Sequence, residues 1–189
     1  LNTSTVWIRM ILKSLFAGTI GFSAFLLFLI QPLIARVLLP GFGGAASVWI
    51  VCLLFFQTLL LAGYTYAHLL VTHLPDRRQL QLHACLMILA VVIAMAGIGD
   101  TIGSSKTPTL DLLVVLTLKI GPAFLLLSAT APLIQHWYSR LSTDPYRLYA
   151  LSNLGSLGAL VLYPFLIEPF SDVSFQFTVW KGALLIYLA

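Results

Sequence analysis

The run FLLLSATAPLIQHWYSR, Phe124–Arg140, holds the question on which the fold turns. It closes a greasy stretch that begins near Thr109, yet it carries a serine, a threonine, a proline, a glutamine and a histidine that a purely lipid-facing segment does not need. An echo lies in the first part of the chain. FLLFLIQPLI runs from Phe25 to Ile34 and FLLLSATAPLI from Phe124 to Ile134, each leading from Phe-Leu-Leu to Pro-Leu-Ile.

The composition around these runs decides the solvent. Hydrophobic residues make up 60% of the chain and charged residues 8%, where a water-soluble domain carries about 25% charge. The fold class read from this is all-α, a polytopic membrane helix bundle. At 1.5 Å per residue a bilayer core takes about 20 apolar residues. That length predicts five complete spans, Leu12 to Leu39, Ala45 to Thr72, Gln79 to Gly99, Leu110 to Tyr138 and Tyr146 to Ile167, with a sixth starting about Phe175. LPGFGG, LPDRR, GDTIGSSKTP and SRLSTDP punctuate them. Residues 1–189 read as one transmembrane domain, and the ending inside GALLIYLA gives the expectation of a fragment.

Arg9 and Lys13, Arg77 and Arg78, and Arg140 and Arg147 fall on one side of this arrangement, which the positive-inside rule makes cytoplasmic, with the amino terminus. Arg36, Lys106 and Lys181 fall on the other, with Asp100, Asp111, Glu168 and Asp172. The net charge of +4 reflects this bias; no basic run interleaved with aromatics points to nucleic acid. Cys52 and Cys85 sit in apolar runs at no metal-binding spacing, so neither a disulfide framework nor a metal is expected, nor any cofactor in this chain.

The echoed motifs predict an inverted three-plus-three repeat of the kind found in secondary transporters. Chance recurrence of leucine-rich tripeptides is the competing reading. Pro32 and Pro132 each remove a backbone donor and loosen the preceding turn; Gln31 and Thr130 stand where their side chains are expected to serve the freed carbonyls.

The polar residues at membrane depth are the candidate functional positions. Lys119 falls about ten residues into the fourth span, ahead of Gly121-Pro122, and either acts there or snorkels to the interface. Glu168 is its expected partner. Asn153 belongs to a small stripe with Gly155, Ser156 and Gly158 that either packs helices or lines a cavity. Gln135 and His136 are expected at the cytoplasmic interface, with Trp137 and Tyr138 as anchors, and His68, His73 and His83 near the headgroups.

SATAPLIQHWYSRLSTDPYRLYALSNLGSLGALVLYPFLIEP, Ser128 to Pro169, resembles the membrane half of bacterial spermidine-synthase-like proteins, as do FLIQPLIARVLLPGFGGAASVW and FFQTLLLAGYTYAHLL. The resemblance implies a multi-span domain in the bacterial inner membrane, preceding a soluble aminopropyltransferase-type domain with a methyltransferase-like fold. No Gly-rich strand-to-helix turn of that soluble fold occurs here, so no catalytic residue is carried over. Three functions follow as expectations: a non-catalytic membrane platform for a cytoplasmic transferase-type domain, a small-molecule carrier, or a structural subunit packed beside a membrane-protein partner.

Overall fold

In lipid every backbone N–H and C=O must find its partner within the protein, so long apolar runs become helices. A computed structural model describes residues 3–38, 46–96, 114, 116–140 and 146–189, and they are helical almost throughout. The elements are α1 (Thr3–Leu38), α2 (Ala46–His73), α3 (Asp76–Met95), α4 (Gly121–Ser139), α5 (Tyr146–Leu162) with a π turn over Tyr163–Ile167, and α6 (Val173–Leu188). Four helical stretches are long and apolar enough to cross a membrane: Met10–Val37, Trp49–His73, Asp76–Met95 and Tyr146–Ile167.

Local chemistry sets the ends. Pro75 supplies the carbonyl that Arg78 and Gln79 bond at 2.9 and 3.1 Å, and Asp76 places a negative charge on the first turn, so α3 starts three residues earlier than expected. Asp172 accepts from the Phe175 N–H at 3.2 Å and caps α6. Pro164 has no N–H to give, and the chain widens there: Glu168 N–H donates to Tyr163 O at 2.8 Å, five residues back.

The fourth expected span is described only in part: residues 110–113 and 115 lie outside the described residues, 116–119 are helical, Ile120 N–H bonds Leu116 O at 2.9 Å, and α4 runs on from Gly121. Pro122 suits the first turn of a helix, where its missing N–H has no intrahelical partner. Expectations on Gly97–Gly99, Asp100, Lys106 and Asp111, and on the GFGG loop at Gly41–Gly44, also fall outside the described residues.

Burial is inverted relative to a soluble protein. Large apolar side chains such as Leu54, Leu61, Val92, Leu154 and Phe165 face outward, while Ser23, Gln79, His83, Ser128, Thr130 and Gln176 are buried. Outward threonines satisfy themselves: Thr58, Thr65 and Thr178 donate to the carbonyl four residues back at 2.7 to 2.9 Å.

The most buried helices are α1 and α4, and the others pack on them. α1 lies along α5, α2 along α4, α6 against α1, and α3 against both α4 and α6. Direction follows from the contacts. Gly21 meets Gly155 and Arg36 meets Glu168, so α1 and α5 run parallel; Phe56 meets Phe124 and Gly63 meets Ser128, so α2 and α4 do too. Trp180 with Leu26 and Tyr187 with Phe22 make α1 and α6 antiparallel, as Gln79 with Trp137 and His83 with Thr130 make α3 and α4.

Two glycines allow the closest approaches. A Cβ on Gly155 would run into the Gly21 carbonyl oxygen, and one on Gly63 into the Ser128 hydroxyl and the Leu125 carbonyl. Without a hydrophobic force between helices in lipid, such backbone contact is a main source of cohesion.

Candidate functional site

Lys119 and Glu168 are not brought together. Glu168 accepts from Arg36 instead: Arg36 Nε lies 3.9 Å from its carboxylate, and Nη1 donates to the Glu168 and Ser171 carbonyls at 3.2 and 3.3 Å. Both carbonyls stand where the chain leaves α5 for α6, so the guanidinium fastens the end of α1 to that turn. Lys119 forms no ion pair among the described residues. It precedes α4 by two residues, in the helical run 116–119, and is half-buried.

The remaining candidates separate by face. Asn153 is exposed on the outside of the bundle, so the small stripe reaches the core through Gly155 alone, while Gly158 has open space around it. Gln31 makes a long 3.5 Å contact with Leu27 O, and Thr130 donates to Leu126 O at 3.0 Å. The prolines free the carbonyls of Phe28 and Ser128, so neither side chain serves its proline as expected.

Gln135 and His136 are half-buried near the end of α4. Asp76 gathers the groups there: it pairs with Arg140, and His136 Nε2 lies 3.8 Å from its carboxylate. Gln79 accepts from Trp137 Nε1 at 2.9 Å and donates to Leu74 O at 2.7 Å. Tyr138 is a core residue, 6% exposed, with its ring edge-on to Phe16.

His83 lies inside the bundle. One turn beyond Gln79 on the buried face of α3, it is only 7% exposed. Its Nε2 lies 3.3 Å from Thr130 Oγ1, which also lies 3.0 Å from the Tyr187 hydroxyl. Side chains from α3, α4 and α6 thus meet on one oxygen. The Tyr66 ring of α2 stacks on the imidazole at 6.0 Å between centroids. His83 Nδ1 and the Tyr66 hydroxyl are buried without a hydrogen-bond partner among the described residues.

Two cavities flank this stack. One of about 180 Å³ is lined by Thr19, His83, Met87, Thr130, Trp137 and Tyr187, among others. The other, about 470 Å³, is bounded by Tyr66, Ala90, Thr117, Gly121, Pro122 and Leu126, against the start of α4. His83 and Tyr66 therefore stand between a cavity near the Asp76 end of the bundle and one near the Gly121 end. The sequence does hold a signal for this. Gln79, His83, Met87, Ala90 and Ala94 recur every three or four residues, a single helical face that carries its polar residues inward.

No group of three or more His, Cys, Asp or Glu side chains that could hold a metal exists among the described residues. Compared with known protein families, with curated proteins and with solved structures, the chain matches none.

Proposed function

We propose that the chain is a small-solute carrier built as two three-helix units of opposite orientation, lying in the bacterial inner membrane with its amino terminus in the cytoplasm. The packing pattern carries this reading. Exchanging α1, α2 and α3 for α4, α5 and α6 turns the α1–α5 contact into α4–α2 and the α1–α6 contact into α4–α3, and leaves α1–α4 and α3–α6 as themselves. The directions are exchanged correctly as well, parallel for the first pair and antiparallel for the second.

Such self-mapping is what an inverted repeat with odd span number produces, and carriers of that kind bind solute near mid-membrane where the units meet. The His83–Thr130–Tyr187 meeting point joins one helix of the first unit to two of the second. Gly121 and Pro122, at the start of α4, border the larger cavity.

The test is a solute screen by thermal shift on the purified chain, followed by uptake of each stabilising solute into proteoliposomes. Saturable uptake supports the carrier. Stabilisation without uptake of any solute overturns it.

The platform for a transferase-type domain is the second reading, favoured by the stretch Ser128–Pro169. It puts Asp76, Arg140 and His136, with Arg77, Arg78 and Arg147, at the end where a cytoplasmic domain would dock. Aminopropyl transfer by the purified chain itself would overturn that reading.

A further inference from the structure

Two helices repeat one spacing on the faces they share. Lys13, Ala17 and Gly21 follow at every fourth residue of α1, as Arg147, Leu151 and Gly155 do on α5, which runs parallel to it. At Gly21 and Gly155 the backbones touch and the seam is shut. Toward the helix starts, over the roughly 12 Å that separates Gly21 from Lys13 along the helix, it opens into a cleft of about 410 Å³. The exposed Lys13, Ser14 and Arg147 border this cleft, with the half-buried Ala17 and Leu151 and the buried Leu148 and Tyr138 behind them. No Asp or Glu lines it among the described residues. Lys13 forms no ion pair among the described residues, and Arg147, which is engaged elsewhere as well, has the five N–H donors of a guanidinium to share.

We propose that this cleft holds the phosphate of an anionic phospholipid, with Lys13 and Arg147 closing on it from two helices and the lipid's glycerol and first methylenes against Ala17, Leu148 and Leu151. Depth favours a lipid over a soluble anion. Lys13 stands three residues inside the apolar stretch Met10–Val37 and Arg147 one residue inside Tyr146–Ile167, the level at which headgroups lie. A soluble phosphate has no apolar body to set against the inner wall. Sign favours an anionic headgroup, because choline would bring a third cation to two that no described acid offsets within the cleft. Size agrees, since ligand clefts span about 300–1,000 Å³. By sequence the same end also carries Arg9, Arg77, Arg78 and Arg140, against Asp76 and Asp144, so a diffuse attraction to anionic lipid accompanies the site. What the cleft adds is two cations acting on one phosphate. This inference goes beyond the carrier reading and does not depend on it.

The experiment uses the full chain, delipidated in dodecyl maltoside, and native mass spectrometry to measure binding of the first dioleoyl-phosphatidylglycerol and, separately, of the first dioleoyl-phosphatidylcholine. Phosphatidylglycerol is expected to bind more tightly by about fivefold or more. Lys13→Gln and Arg147→Gln are each expected to weaken it about fivefold, the worth of one cation at a membrane surface, and to leave phosphatidylcholine unchanged. Ser14→Trp keeps the charge and fills the cleft, and is expected to cost as much as either. Arg77→Gln combined with Arg78→Gln removes two exposed cations at the same end but outside the cleft, and is expected to leave the first phosphatidylglycerol within about twofold of its affinity for the unaltered chain.

Selective loss in the three cleft variants supports the site. Equal affinity for the two lipids, unaltered phosphatidylglycerol binding in Lys13→Gln, Arg147→Gln or Ser14→Trp, or an equal loss in the Arg77 and Arg78 pair each overturns it. Binding of sn-glycerol 3-phosphate as tight as that of phosphatidylglycerol would make the cleft a site for a soluble phosphate and overturn the lipid assignment.

Discussion

The seam between α1 and α5 and the seam between α3 and α4 solve the same problem in opposite ways. Along the first, backbone lies on backbone at Gly21 and Gly155, and at its far end Arg36 spends its donors on the carbonyls of Glu168 and Ser171. Nearby, Gln176 bonds Ser171 O at 3.0 Å and accepts from Tyr163 at 3.2 Å, so the polar groups close on one another. Along the second, Asp76–Arg140 and Gln79–Trp137 close one end, and then the helices part around His83 with an acceptor left over. A polar cluster that satisfies itself is a fastening. One that does not is a place for something else.

The difference can be broken first at the closed seam. Gly155→Ala puts a methyl against the Gly21 carbonyl, and neither helix backbone can yield cheaply; a loss of about 1–3 kcal/mol is expected in reversible unfolding in mixed micelles. Gly21→Ala, across the same contact, meets only Leu151 O at 3.6 Å and is expected to cost far less. If the two losses were equal, the contact would not be as asymmetric as described.

Next comes Arg36→Met. Two carbonyls lose their donor, and about 1–2 kcal/mol should follow in the same measurement. Glu168→Gln, by contrast, weakens only a 3.9 Å half-exposed ion pair and is expected to cost under about 1 kcal/mol. A larger loss for Glu168→Gln would make the charge, not the main-chain bonds, the fastening.

The open seam should respond less, and with mixed sign. Thr130→Val removes interhelical hydrogen bonds worth about 0.6 kcal/mol each in membrane proteins. His83→Leu removes the unpaired acceptor with the ring, so stability is expected to hold or rise by under about 1 kcal/mol. The smallest effect is Lys119→Ala, expected to leave unfolding unchanged, because the lysine stands just before α4 and pairs with no described acid.

Much of the helix pattern was legible because lipid makes each helix satisfy its own backbone, a demand written locally in the chain. α2 covers Ala46–His73 where Ala45 to Thr72 was expected, and Tyr146–Ile167 stands unchanged as a span. Lateral partners are a different kind of information, since they depend on which faces meet. Glu168 was matched to Lys119 by side of the membrane alone; reach and rotation give it to Arg36. Distance to a loop says how deep His83 and Tyr138 stand but not which way they face, and each lies on the inward face of its helix. Ser128 and Thr130, which a purely lipid-facing segment does not need, are buried because they face protein and not lipid.

The π turn at Tyr163–Ile167 has a consequence for how the chain tolerates changes of length. A five-residue loop of hydrogen bonding takes up one residue more than the α-helical turn it replaces, and each residue in a helix advances its azimuth by about 100°. The π turn therefore keeps Glu168 on its bearing toward Arg36, which the same number of residues in a regular α-helix would turn about 100° away. Loss of a single residue in the turn would wind α5 back to a regular helix in which the Glu168 N–H still reaches Tyr163 O, now four residues back, so the carboxylate keeps its bearing and every turn before Tyr163 its place.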